Sequence, residues 1–213
     1  MIRHEPSQKA VTKAFIVDTH AHLCDPDFDR DRQEVLERAR QAGIAAVVAV
    51  GENEQDARRN LELARKHDLL RPAAGLYPTV LDPGLARSMT DFIRRHRERW
   101  VAIGEVGLDY WMVKEEEKRE IQRHIFLEFI HLSMELDLPL NVHSRSAGHH
   151  AVSFLLENGA RRVQLHAFDG KASAALPGVE AGYFFSVPPS VVRSRQKQKL
   201  VKHHVLANKF ALC

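Results

Sequence analysis

Short runs rich in valine, isoleucine, leucine and alanine recur along the chain, and the stretches between them switch to helical spacing. The runs are AFIVDTH (14–20), IAAVVAVG (44–51), LLRPAAGLYP (69–78), WVAIGEVG (100–107), LPLNVHS (138–144), RRVQLHAF (161–168) and GYFFSVP (182–188), which makes seven predicted strands. Near-continuous apolar runs of this kind suit parallel strands covered on at least one face. Between them, DRDRQEVLERARQAG (29–43) puts Val35, Leu36 and Ala39 on one face and stops at Gly43, a helix with its terminator. NEQDARRNLELARKHD, MTDFIRRHRER, EEEKREIQRHIFLEFIHLSMELD and HHAVSFLLENG follow the same rule.

Strict alternation of strand and helix predicts an α/β fold, a TIM-like (β/α) barrel. Such a barrel typically takes eight units and about 250 residues. Here VLANKFALC (205–213) is a poor eighth strand with no helix after it, so the barrel is expected to be incomplete. The organisation expected is an extension over residues 1–14, one domain over 15–204 and a divergent tail over 205–213.

Composition narrows the chemistry. With 213 residues, 44% of them hydrophobic and 28% charged, the chain can bury a sizeable core. No apolar run approaches the roughly 18 residues of a membrane helix, and MIRHEPSQKAVTK lacks the apolar centre of a signal peptide. An intracellular protein, of cytoplasm or nucleus, is expected. Cys24 and Cys213 are the only cysteines, whereas histidines number 13. Any metal would therefore take histidine and carboxylate ligands. The net charge is +3, and the basic runs RRHRER (94–99) and RSRQKQKLVK (193–202) read as solvated helix faces.

In a (β/α) barrel the C-terminal strand ends converge on one mouth, where active sites are built. VDTHAHL (17–23) places His20 and His22 after the first strand, while Glu105, His143 and His166 close the fourth, fifth and sixth. Alternation puts His20 and His22 on the same side of an extended chain, so both can reach one ion. Glu105 has two oxygens and can bridge two cations, and His143 with His166 could supply the second. A metal pair is the usual device for activating water and stabilising the leaving oxygen in phosphoester hydrolysis. The remaining histidines fall in predicted helices and loops and need no ligand role.

VDTHAHL, AIGEVGLDY, LPLNVHSRSAG and HAFDG occur in this order, and through them the chain resembles the TatD family of metal-dependent deoxyribonucleases, within the amidohydrolase-like barrel superfamily. The resemblance runs from about residue 15 to about 203, and GYFFSVPPSVVRSRQKQKLVK looks most like a vertebrate branch. It implies a barrel of the metal-dependent hydrolase type holding two divalent ions (zinc, magnesium or manganese). It implies DNA as substrate, cut as a 3′ exonuclease and at abasic sites. It implies His20 and His22 on the first ion, Glu105 shared, and His143 and His166 on the second. Arg145 would contact phosphate, or else form an ion pair at the rim.

Two departures from the family pattern stand out. Where the family has Gly-x-His-Pro after the third strand, this chain reads GLYP, with Tyr77 in the histidine's place. The family's eighth strand ends in Glu-Thr-Asp, and no such motif follows Lys202. On the resemblance this is a shortened form without its catalytic aspartate. Asp109 and Asp169 are the nearest carboxylates in position, and neither ends an eighth strand. Two alternatives stay open: another amidohydrolase-like or phosphoesterase hydrolase, and an inactive shortened form. Many of the former also begin with His-x-His but bridge their metals with a modified lysine, where the fourth strand here offers Glu105.

Overall fold

A computed structural model describes residues 16–202 and 210–212. The expected extension over 1–14, and residues 205–209 and 213 of the tail, lie outside them. The chain runs β1 (Ile16–Ala21), α1 (Arg32–Gln41), β2 (Ile44–Ala49), α2 (Glu54–Lys66), β3 (Leu70–Ala74), α3 (Pro83–Arg95), β4 (Ala102–Gly107) and α4 (Glu116–Leu136). It continues with β5 (Leu140–His143), α5 (Gly148–Glu157), β6 (Val163–Leu165), α6 (Ala172–Glu180), β7 (Phe184–Val187), α7 (Arg195–Lys202) and β8 (Phe210–Leu212). All strand pairs are parallel and follow chain order around a closed ring.

β1 to β7 are the seven strands expected from the apolar runs. The expectation that changes is the gap. Phe210–Leu212, from the stretch that made the weakest strand, pairs with β7 over three positions and with β1 at Asp18↔Leu212. A seven-strand sheet would leave a row of unpaired backbone groups on both β1 and β7. Satisfying those groups makes a three-residue strand worthwhile despite its weak local preference.

Helix ends are written in the sequence. Asn53 caps α2 by accepting the Asp56 N–H, and Asp82 caps α3 by accepting from Gly84 and Leu85, with Pro83 in the first turn. That cap starts α3 six residues before the predicted MTDFIRRHRER segment. α6 was not predicted; it carries Pro177 in its interior, where proline normally breaks a helix. Packing holds it: Gly178 is so close to β7 that a Cβ there would meet the Phe185 ring at 2.9 Å.

The helices lay their apolar faces against the outside of the ring. Phe92, Phe126, Phe129 and Ile130 are almost fully buried there, each contributing on the order of 2–3 kcal/mol over an exposed side chain. Backbones also approach closely. A Cβ on Gly107 would stand 2.2 Å from the His143 carbonyl oxygen, and Gly107 itself has φ +140°. Only glycine meets both demands, and the contact sets β4 against β5 where two candidate site residues lie.

Candidate metal centre

The ring brings all five predicted donors together at its C-terminal mouth. His20 lies within β1 and His22 one residue beyond it, so the pair points the same way, with their Nε2 atoms 3.1 Å apart. Glu105, in β4, projects between the two pairs of histidines and is 2% exposed. Its Oε2 lies 3.2 Å from His22 Nε2 and 3.7 Å from His20 Nε2. Its Oε1 lies 2.6 Å from His143 Nδ1 at the end of β5 and 2.9 Å from His166 Nε2 just past β6. The His20 and His166 rings stack with centroids 3.7 Å apart.

These donors fall into two groups that share one carboxylate, His20–His22–Glu105 and Glu105–His143–His166. A tetrahedral ion about 2.0–2.1 Å from each donor needs donors about 3.3 Å apart. The first group's separations of 3.1, 3.2 and 3.7 Å have that size. Oε2 of Glu105 is buried and meets no donor in good hydrogen-bond geometry, its nearest neighbour being His22 Nε2 at 3.2 Å, and a cation between them would satisfy it. The residues present therefore fit a cation.

Burial and the Glu105 carboxylate pull the four imidazoles in opposite directions. Burial opposes ionisation of Glu105, but the hydrogen bonds from His143 and His166 outweigh it and hold the carboxyl far below the usual carboxylate range. Burial, together with the neighbouring His166, pushes His20 down to about 3, so its imidazole is neutral. Burial likewise lowers His166. For His22 and His143 the Glu105 carboxylate outweighs burial and raises the imidazole above its ordinary value.

Two residues that the sequence does not assign to the centre, Asn141 and Asp109, orient the rings. Asn141 Oδ1 lies 2.8 Å from His20 Nδ1, and its Nδ2 donates to the Thr19 carbonyl at 2.6 Å. That second bond sets the amide's direction, so Nδ1 of His20 carries the proton and Nε2 keeps its lone pair for the centre. Asn141 stands two residues before His143 on one strand, and the same alternation that paired His20 with His22 would have found it. Asp109, fully buried, places Oδ2 3.0 Å from His143 Nε2. A carboxylate only accepts, so Nε2 of His143 donates to Asp109 and Nδ1 donates to Glu105, and a cation placed between Nδ1 and Glu105 would take the place of the Nδ1 proton. Asp109 ends no eighth strand; its place is behind the candidate donors.

The other predicted residues lie around the mouth. Arg145, exposed just beyond β5, has its guanidinium over the Trp111 ring, 5.2 Å from the centroid. It also lines a pocket of about 280 Å³ with His143, His166, Asp169, Pro188 and Lys197. Asp169 accepts the Ser146 N–H at 3.1 Å. Tyr77 stands edge-on to His143 at 5.3 Å, and burial pushes its phenol up to about 12. It thus fills space beside the centre as a neutral group. Among the described residues no helix is long and apolar enough to cross a membrane.

Comparison with known proteins fits this geometry. The profile described as TatD related DNase matches residues 17–210. Deoxyribonuclease TATDN3 of Homo sapiens is 45% identical over 199 residues, covering 88% of this chain and 73% of that protein. The uncharacterized metal-dependent hydrolase YabD of Bacillus subtilis is 32% identical over 197 residues, covering 88% of this chain and 74% of that protein. Among solved structures, the TatD homologue YjjV of Escherichia coli superposes with a TM-score of 0.81 at 27% identity, covering 92% of this chain and 76% of that one. A TatD family hydrolase from Entamoeba histolytica gives 0.80 at 20% identity, over 93% of this chain and 72% of that one, and so shares the fold.

Proposed function

The chain belongs to the TatD-related DNase family, and from that premise we propose that it hydrolyses DNA phosphodiester bonds with two divalent cations. His20, His22 and Glu105 would hold one, and Glu105, His143 and His166 the other. The observation that carries this is Glu105: one buried carboxylate whose two oxygens face two separate histidine pairs. When bound, such cations polarise the scissile phosphate and lower the pKa of an attacking water. Four imidazoles and a single carboxylate suit zinc better than magnesium, which prefers an all-oxygen shell.

The protein's own contribution is placement. Asn141 and Asp109 keep one nitrogen of His20 and of His143 directed at Glu105. Arg145 and Lys197 line the pocket that adjoins His143 and His166, where they can hold a phosphate as bidentate and point-charge partners respectively. A substrate phosphate entering that pocket meets the second donor group first. On the family resemblance, the cut falls at a 3′ terminus or, where a base is missing, at an abasic site.

Purified, folded protein should shorten a 5′-labelled DNA strand when zinc, manganese or magnesium is supplied, and chelation should stop it. Glu105→Ala should abolish cleavage. Folded wild type that loads metal yet cuts no DNA would sink the proposal.

A further inference from the structure

The loop between β4 and α4 presents Trp111 and Met112 to solvent, 53% and 59% exposed. Large apolar side chains placed in water this way forgo the burial that would stabilise them, and a neighbouring pair of them is informative. The loop is firmly tied. Asp109 Oδ1 accepts the Met112 N–H at 2.8 Å, the Val113 N–H donates to the Asp109 carbonyl at 3.0 Å, and the Tyr110 N–H donates to the Arg145 carbonyl at 3.0 Å. Through its other oxygen Asp109 holds His143. Trp111 therefore has a set position relative to the candidate metal centre.

Two cations accompany the ring. Lys114 Nζ and Arg145 Cζ lie 4.9 and 5.2 Å from its centroid. Arg145 also lines the pocket beside His143 and His166. One guanidinium thus belongs both to the exposed indole and to the place proposed for the phosphate.

We infer that Trp111 is a stacking platform for an unpaired nucleobase of the DNA strand, the base displacing a cationic side chain from the ring face so that Arg145 and Lys114 move to the adjoining phosphates. The inference rests on the DNA-hydrolase reading above. Every base has a π-face, so an aromatic platform binds any sequence, while cations beside it follow the backbone. Bases inside a duplex are already stacked and paired. The platform therefore selects single strands and frayed ends over intact duplex.

The test uses fluorescein-labelled oligothymidylate of about 12 nucleotides, a length within the span of known single-strand sites, without added metal. Anisotropy should show Trp111→Ala weakening its binding roughly 5- to 150-fold, the range of a lost base stack, with Trp111→Phe recovering most of the loss. A fully abasic strand of equal length, which keeps the phosphates, should bind Trp111→Ala and wild type alike. Trp100 is 4% exposed, so quenching of indole emission by oligothymidylate reports on Trp111.

Equal affinity of Trp111→Ala and wild type for oligothymidylate, or an equal loss on the abasic strand, overturns the platform. Cleavage of the labelled strand by wild type with manganese decides the underlying reading separately. Cleavage alongside an unaltered Trp111→Ala affinity removes the platform alone. A base-dependent Trp111→Ala deficit without cleavage removes the hydrolase reading and leaves a DNA-binding platform.

Discussion

Asp109 touches no predicted ion, yet it holds His143 by one oxygen and the start of the Trp111 loop by the other. Outer partners of this kind set the tautomer and angle of a ligating imidazole. Asp109→Asn should therefore lower zinc affinity by about 10- to 100-fold, read by competition with a chromogenic chelator, while the far-ultraviolet dichroism stays that of wild type. Unchanged affinity would mean that Glu105 alone positions His143. At this scale the donors themselves were legible, because His-x-His and three isolated strand-end residues are visible in a line of text. Asp109 was not, since its partner lies 34 residues away and nothing local says that its carboxylate turns inward.

The elements decide how closely those residues can meet. Gly107 allows β4 to approach β5, and Gly107→Ala adds both a forbidden φ and a clash with the His143 carbonyl. Gly43 is a natural control: its φ is +93°, but nothing lies within 4 Å of a Cβ built there. In urea unfolding, Gly43→Ala should cost about 1 kcal/mol of backbone strain, and Gly107→Ala about 2–4 kcal/mol once overpacking is added. Equal losses would show that β4 and β5 can separate without consequence. The apolar runs forecast β1 to β7 well because a buried parallel strand is apolar on both faces. They forecast β8 and α6 poorly, since Phe210–Leu212 is held by open edges on both sides and Pro177 is tolerated through packing on β7.

Across the whole molecule, the two donor groups share Glu105 but draw histidines from three strands and their ends, so cation binding should clamp β1, β4, β5 and β6 together. A ligand that binds only the folded state stabilises it by mass action, about 2.7 kcal/mol at 100 times its Kd. For a chain of this length that raises Tm by roughly 5–10 °C. Zinc should produce such a rise in a thermal melt of wild type. Glu105→Gln, which weakens both groups at once, should lose most of it, whereas His22→Ala, which alters one, should keep about half. An equal shift in all three proteins would place the zinc elsewhere.

The sequence by itself determined the alternation of strand and helix and put the candidate donors at the mouth-facing parts of their strands, for these follow from periodicity within a few residues. Tertiary structure decided which atoms meet: Oε1 and Oε2 of Glu105 on different histidine pairs, Asn141 on His20 across 121 positions, Asp109 behind His143, and Phe210–Leu212 in the last place of the ring. Each depends on distances between residues remote in the chain. Only closing the barrel sets those distances.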